Sequence, residues 1–176
     1  MRNAVSSILL SLLAVTLMAA TCDSDPTSLE AVCDDTVGQL VALGINAARA
    51  EAGMAPLDVD LRLVQAALNH SSDMVANNFI GHEGADGSSP GDRIDAAGYD
   101  WNFYAENVAA GQATAASVVT AWMNSSGHRA KILSEGSVHM GVGYVFDSDT
   151  QYGHYGTVNF GNTNPAPDLA SGGCHP

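Results

Sequence analysis

The segment VHMGVGYVFDSDTQYGHYGTVNFG, residues 138–161, predicts two β-strands joined by a short turn. Valine, tyrosine and phenylalanine are frequent on both sides of DSDTQ, and such β-branched and aromatic residues favour strands. DSDTQ itself is rich in the small polar residues that favour turns. Because helical patterns occupy most of the chain before these paired strands, we expect an α+β fold in which helices and a sheet form layers.

Apolar residues recur at helical spacing in three stretches before the strands. The first stretch covers residues 37–52 and is followed by Gly53 and Pro56, which both terminate helices. The second begins at Asp58 or a neighbouring residue, and its apolar stripe is wide enough to be mostly buried. The third covers residues 113–124. These patterns predict three helices.

Shorter elements are predicted between and after these helices. Residues 79–95 are rich in glycine, serine and proline, so we expect a loop that closes on a helical turn around residues 92–97. FYAENVAAG, residues 103–111, has the mixed apolar character of a strand or an extended edge. Ser126 is predicted to cap a short helix in GHRAKIL, residues 127–133.

The N-terminus has the pattern of a secretory signal peptide. Arg2 supplies a positive charge, residues 8–18 form a short apolar run, and small residues precede Cys22. The apolar run is too short for a membrane-spanning helix, so we expect export to the outside of the cell or to the cell envelope. The chain then divides into a signal peptide (1–21), an acidic lead-in or tether (22–36), a folded domain (37–163) and a C-terminal tail (164–176).

Three cysteines leave two arrangements open in an oxidising compartment. Cys33 and Cys174 flank the folded segment, and a bridge between them would leave Cys22 free. A bridge between Cys22 and Cys33 would instead leave Cys174 unpaired. A free Cys22 suits a lipid anchor, although Ala19 stands where a lipoprotein signal favours leucine. A lipid-anchored form is therefore an alternative to a freely secreted one.

The composition and charge exclude several classes of partner. Hydrophobic residues make up 46% of the chain and charged residues 14%, which is typical of one globular domain and not of a disordered chain. Six Lys+Arg face 19 Asp+Glu, for a formal net charge of -13. A surface with so few cations cannot neutralise a run of phosphates, so we expect no nucleic-acid partner and no electrostatic membrane binding.

Two histidines and one glutamate are the strongest candidates for chemistry. His82 and His128 each follow a glycine in a loop or at a helix start, where a ring can reach a shared site. Glu106 lies in the apolar context AENVAAG, and a buried carboxylate needs a partner. Two imidazoles and one carboxylate suit a zinc site with water at the fourth position. No HExxH motif supports this hypothesis, so spacing alone makes the signal weak.

The remaining candidates have structural explanations. His70 falls at the boundary of the buried face of the second helix, where a histidine packs its ring and bonds at its tip. His139 and His154 lie in or beside strands and His175 lies in the tail, so we set these three aside. Ser125 and Ser126 precede His128, but serine at this point is explained by helix capping, and no GxSxG motif is present.

Seven segments in order resemble the CAP superfamily, the SCP-like extracellular proteins, and most closely its bacterial branch. They are INAARAEAGMAPL, AALNHSSDM, FIGHEGADGSSPGDRI, AAGYDWNFYAENVAAG, VVTAWMNSSGHRAKIL, HMGVGYVF and YGTVNFGN. The resemblance implies a three-layer α-β-α sandwich with a central cavity, and in the family that cavity is lined by two His and two Glu.

The residues of this chain match three of those four family positions. The resemblance implies that His82 and His128 are the two histidines, which can bind zinc or another divalent ion, and that Glu106 is the first glutamate. The second glutamate, three residues after Trp122, is replaced by Ser125, which cannot act as a base. We expect Ser125 and His70 to line the same cavity. The missing carboxylate makes acid/base catalysis less favoured.

Two functions from different classes follow from these observations. The first is a non-catalytic binding module, secreted or anchored in the envelope, for a lipid, a sterol-like ligand or a protein partner. The alternative is a zinc-dependent extracellular hydrolase, a peptidase, in which His82 and His128 hold the metal and Glu106 completes the shell or activates water. A structural envelope protein anchored through Cys22 is compatible with either function. The acidic surface disfavours polyanionic ligands.

Overall fold

The structure is a computed structural model, and it describes residues 36–163. The predicted signal peptide, the lead-in up to residue 35, the tail from residue 164, all three cysteines and His175 lie outside the described residues. Within residues 36–163, no helix has the length and apolar character needed to cross a membrane.

Five helices and four strands make up the described part of the chain. In chain order they are α1 (Thr36–Glu51), β1 (Asp58–Val59), α2 (Leu61–Ala76), α3 (Pro90–Ala96), β2 (Phe103–Ala110), α4 (Ala115–Asn124), α5 (Ser126–Ile132), β3 (His139–Phe146) and β4 (His154–Asn162). The three predicted helices and the two predicted C-terminal strands are all present. The mixed α and β composition confirms the predicted fold class.

The four strands form one sheet in the order β1-β3-β4-β2. β3 and β4 pair antiparallel, as predicted, and β4 also pairs antiparallel with β2. β1 pairs parallel with β3 through Asp58 opposite His139 and Val59 opposite Met140. β2 is therefore an edge strand, with β4 on one side and no strand of the described chain on the other.

Helices cover both faces of this sheet, which gives three layers. α2 packs across β3 and β4 on one face, with α3 beside it. α1 and α4 pack together on the opposite face, and α5 follows α4 beside β2. The larger core cluster lies on the α1 and α4 side and includes Val41, Ile45, Trp122 and Phe160, each no more than 2% exposed. This burial of apolar side chains supplies the main stabilising free energy.

Two glycines of β3 allow α2 to approach the sheet closely. A Cβ atom at Gly141 would lie 2.1 Å from the backbone nitrogen of Val64, and one at Gly143 would lie 2.2 Å from that of Leu68. Both distances are far below van der Waals contact, so a side chain is excluded at either position. The close approach fixes the position of α2 on the sheet, and with it the position of His70.

Several predicted boundaries are wrong by one or a few residues. α2 begins at Leu61 with Asp60 as its N-cap, because the side chain of Asp60 accepts a hydrogen bond from the backbone N–H of Arg62. Asp58, which was predicted to start this helix along with its neighbours, belongs instead to β1. α3 begins at Pro90 rather than near residue 92, because Ser89 and Asp92 form a capping box in front of it.

The predicted cap at Ser126 is also wrong. Ser126 is the first residue of α5, and the N-cap is Ser125. The side chain of Ser125 makes no capping hydrogen bond, so its hydroxyl group is not explained by helix capping as the sequence suggested.

Candidate functional site

Glu106 lies in the middle of the edge strand β2 and is buried at 3% exposure. Its neighbour across the sheet is Asn159 of β4. A carboxylate buried to this degree needs hydrogen bonds or an opposite charge, because the loss of water is otherwise unfavourable. Polar or charged neighbours of Glu106 are therefore required, and they define the candidate site.

Both carboxylate oxygens of Glu106 have partners. Oε1 accepts a hydrogen bond from Nδ1 of His82 at 2.9 Å, and Oε2 accepts one from Nη2 of Arg93 at 2.9 Å. With its side-chain amide turned so that Nδ2 faces Glu106, Asn159 donates to Oε2 at 3.1 Å. Since a carboxylate only accepts, Nδ1 of His82 carries the proton and its Nε2 is left for another group.

The backbone around His82 is held by two further side chains. Nε2 of His70 lies 2.8 Å from the carbonyl oxygen of Gly81, and Nη2 of Arg93 donates to the carbonyl oxygen of His82 at 2.9 Å. Nη1 of Arg93 also donates to the carbonyl oxygen of Ser88 at 2.8 Å. The loop that carries His82 is thus fixed from both sides, while the His82 side chain itself remains 47% exposed.

His70 is fully buried, although the sequence placed it at the boundary of the buried face. Burial lowers the pKa of His70, against the opposing effects of Glu106 and the Gly81 hydrogen bond. Its Nε2 lies 4.0 Å from Oε1 of Glu106, and its Nδ1 has no partner within the described chain. His70 therefore lies close to Glu106 and holds the loop at Gly81 rather than facing solvent.

His128 and Lys131 approach Glu106 from α5. The carbonyl oxygen of His128 accepts a hydrogen bond from Nδ2 of the buried Asn107 at 3.1 Å, and Nζ of Lys131 donates to the backbone carbonyl of Glu106 at 2.8 Å. Desolvation lowers the pKa of His128, and the charges of Lys131 and His82 lower it further. These effects favour the neutral form of His128, which lies near His82.

We call these side chains together the Glu106 cluster. It comprises His70, His82, Arg93, Glu106, His128 and Lys131. The sequence singled out four of the six, but not Arg93 or Lys131. A signal for Arg93 did exist, because a buried carboxylate implies a cationic partner, but its identity depends on where α3 packs.

The donor atoms of the cluster limit how a metal ion could be held. Across residues 36–163, no three His, Cys, Asp or Glu side chains are grouped so that they could hold a metal ion. Both oxygens of Glu106 are already engaged, so the residues that fit an ion are His82 through Nε2 and His128. A carboxylate that orients a ligating histidine is a common outer-shell arrangement, and Glu106 fits this role better than that of a ligand.

The two strand histidines have other contacts. His139 is buried, and its Nδ1 forms a 2.8 Å hydrogen bond with the hydroxyl group of Tyr99. His154 contacts the ring of Phe146, its cross-strand neighbour, with ring centroids 4.5 Å apart. Both are engaged by neighbouring aromatic residues, as is typical of histidines in a sheet.

Solved structures match the fold described above. An extracellular protein containing an SCP domain from Bacillus anthracis matches with a TM-score of 0.64 and 28% identity, over 71% of this chain and 40% of that one. An outer surface protein from Borrelia burgdorferi matches with a TM-score of 0.65 over 71% of this chain and 91% of that one. At 23% identity, the second match shows the fold alone.

Sequence relatives occur in Bacillus subtilis. The uncharacterized protein YkwD is 42% identical over 100 residues, and the uncharacterized membrane protein YlbC is 34% identical over 98 residues. The matches span 57% and 56% of this chain but only 39% and 28% of the relatives. The family model of the cysteine-rich secretory proteins matches residues 44–160, which contain the whole Glu106 cluster. The chain belongs to this CAP family.

Proposed function

We propose that this protein is a non-catalytic binding module, secreted or anchored in the cell envelope, that holds a lipid, a sterol-like ligand or a protein partner at the Glu106 cluster. Membership of the CAP family supports an extracellular type of protein, and the structural relative from Bacillus anthracis is described as an extracellular protein. The ligand faces the exposed side of the cluster, where His82 presents Nε2.

The hydrogen bonds and the burial of Glu106 are the main support for this proposal. A general base must reach the proton that it removes, yet both oxygens of Glu106 are engaged by His82 and Arg93 and the residue is 3% exposed. Ser125 stands where the family pattern has a second glutamate, and a serine hydroxyl is no substitute for an ionised carboxylate. Glu106 thus positions His82 for contact with a ligand and does not act as a base.

The alternative is a zinc-dependent extracellular hydrolase, a peptidase. One observation favours it: the lowered pKa keeps His128 neutral, and neutral imidazole is the form that binds metal. In that case His82 and His128 would hold the ion, Glu106 would orient the His82 ring through its hydrogen bond, and the chemistry that zinc would supply is the activation of water. The positive charge of Lys131 near His128 opposes a divalent ion, so we favour the binding module.

Calorimetric titration of zinc and an assay with fluorescein-labelled casein distinguish the two functions. For a binding module we expect no zinc-dependent cleavage of casein by the whole chain. Cleavage that Glu106→Gln abolishes while zinc stays bound would establish the hydrolase instead. Zinc binding lost in both His82→Ala and His128→Ala would identify the two ligands.

The binding function has its own positive test. We expect the fluorescent sterol dehydroergosterol to bind the wild-type chain, and His82→Ala to weaken this binding at least about fivefold because it removes an exposed polar contact of about 1 kcal/mol. His154→Ala is the matched control, since it removes a partly exposed histidine elsewhere in the fold. Equal loss of affinity in both variants would contradict a ligand at the Glu106 cluster.

The envelope anchor is tested separately by mass spectrometry of the mature N-terminus. A mass increase equal to a diacylglycerol group on Cys22 would show the anchored form. An unmodified N-terminus at Thr21 or Cys22 would show the secreted form.

A further inference from the structure

Positive charge is scarce in this molecule, and three of the five cations within residues 36–163 are neutralised or satisfied internally. The described residues contain five of the six cations, since only Arg2 lies outside them. Arg49 donates to the backbone carbonyls of Ala55, Ile132 and Ser134. Arg62 forms an ion pair with Asp60, and Arg93 forms one with Glu106.

The other two cations of the described residues, Arg129 and Lys131, both lie on α5. Across residues 36–163, neither forms an ion pair with a carboxylate. Helix α5, SGHRAKI, contains no acidic residue that could neutralise them locally. Arg129 is exposed to solvent, whereas Lys131 is half-buried within the Glu106 cluster. Only Lys131 is thus placed to act at the candidate site.

The ammonium group of Lys131 retains unused donors. It donates to the backbone carbonyl of Glu106 at 2.8 Å, and an ammonium group carries three N–H bonds, so two remain for a ligand. The guanidinium of Arg93 is different, because its Nη atoms already contact Ser88, His82 and Glu106 and its unpartnered Nε is buried away from solvent. Lys131 is therefore the donor of the cluster that remains available to bind an external group.

The charge balance of the cluster favours an anion. Arg93 and Lys131 contribute two positive charges and Glu106 one negative charge, which leaves one positive charge in excess. The neighbouring loop carries two acidic residues, the exposed Glu83 and Asp86, and Asp86 accepts a hydrogen bond from Ser88. Asp92 of α3 is hydrogen-bonded to Ser89. On a chain of net charge -13, a single excess cation suits a single anionic group, whereas the surrounding surface repels a polyanion.

We infer that Lys131 makes the Glu106 cluster a binding site for one oxyanionic group, a carboxylate or a phosphate, carried by the ligand. The inference rests on the proposed binding function and names the chemistry of its ligand. Two N–H donors of Lys131 contact the oxyanion, and the exposed ring of His82 lies beside it. A charge-assisted hydrogen bond of this kind is about twice as strong as a neutral one.

Three probes with the same alkyl chain test the inference by calorimetry or fluorescence displacement on the whole chain. Octanoate carries a carboxylate, octyl phosphate carries a phosphate, and octanol carries neither. We expect at least one of the two anions to bind about tenfold or more tightly than octanol. The anion that binds more tightly shows whether the site prefers a carboxylate or a phosphate group.

Lys131→Gln and Arg129→Gln form the matched pair of variants, since each removes one positive charge from α5. We expect Lys131→Gln to weaken binding of the preferred anion at least about tenfold and Arg129→Gln to change it less than about twofold. Lys131→Arg keeps the charge and should retain most of the affinity. Amide NMR spectra check that all three variants remain folded.

Equal affinity for octanol and both anions would overturn the inference, as would an equal effect of Lys131→Gln and Arg129→Gln. Failure of every octyl probe to bind would overturn it as well. Dehydroergosterol carries no anionic group, so its binding does not depend on the outcome of these experiments. The failure of the anion site is thus distinguishable from the failure of the binding function.

Discussion

At the scale of single residues, the Arg93–Glu106 pair is central to the candidate site. The Arg93 side chain is 10% exposed and the Glu106 side chain 2% exposed, so neither charge is well solvated. A buried ion pair adds little net stability against an apolar replacement, but removal of one partner leaves the other charge buried and unpaired. The pair therefore constrains the loop that carries His82, and its integrity is testable.

We expect Arg93→Met to lower the free energy of unfolding by roughly 3–5 kcal/mol, because Glu106 would be left without its cation. Glu106→Gln in the same background should restore part of this loss, since a neutral amide needs no counter-charge. Urea denaturation of the wild type, both single variants and the double variant measures the coupling. A loss below about 1 kcal/mol in Arg93→Met would show that the pair is solvated.

At this scale, the sequence drew attention to residues with distinctive chemistry. Glycine neighbours and an apolar context singled out His82, His128 and Glu106, and the structure places all three together. Arg93 and Lys131 have no such local signal, because each acquires its role from a contact made across the fold. Ser125 was explained by capping, but its side chain makes no capping bond.

At the scale of elements, the contact between α2 and β3 determines how the layers meet. α2 supplies His70, and the same helix lies against Gly141 and Gly143 through its backbone. Periodicity in the sequence predicted α2 but could not show which strand residues must lack side chains. That requirement arises only when helix and sheet are packed together.

We expect Gly143→Ala to destabilise the protein by about 2 kcal/mol or more, because its Cβ would overlap the backbone of α2 and the helix must move. Gly127→Ala is the control. No atom lies within 4 Å of a Cβ at Gly127, and alanine favours a helix over glycine by about 0.5–1 kcal/mol. Thermal and urea denaturation should therefore shift in opposite directions for the two variants. Equal shifts would contradict the close packing.

β1 shows what a local pattern cannot predict. Asp58 and Val59 form a strand of only two residues, and its existence depends on pairing with His139 and Met140 far along the chain. A strand this short has no alternation of its own to detect. The start of α2 was consequently predicted at Asp58 or a neighbouring residue, whereas the helix begins at Leu61 after the cap Asp60.

At the scale of the whole molecule, net charge and buried histidines act in opposite directions as the pH falls. Protonation lowers the net charge of -13 and relieves repulsion among acidic groups. Burial lowers the pKa of both His70 and His139 below the usual histidine value of 6.5, so the unfolded chain binds protons more readily than the folded one. The histidine contribution to stability is present above pH 6.5 and is lost as the pH falls through the folded pKa values.

We expect His70→Gln to reduce the pH dependence of unfolding between about pH 7.5 and pH 5, because glutamine does not titrate. Its amide can still donate to the carbonyl oxygen of Gly81. The wild type and the variant have the same net charge when His70 is neutral. The effect of net charge on the pH dependence therefore cancels when the two proteins are compared. Urea denaturation at several pH values gives the slope, and identical slopes would show that His70 does not contribute.

The sequence by itself determined the α+β class, the paired C-terminal strands, the three longer helices and the family to which the chain belongs. These follow from local periodicity, turn residues and ordered motifs, all of which can be recognised in the sequence without knowledge of long-range contacts. Only the tertiary structure decided the partners of Glu106, the burial of His70 and the availability of Lys131. The partners of Glu106 and the position of Lys131 depend on β2 lying at the edge of the sheet and on α3 and α5 packing against it, whereas the burial of His70 depends on α2 packing on β3 and β4. A buried charge requires a partner, but long-range packing selects which residue that partner is.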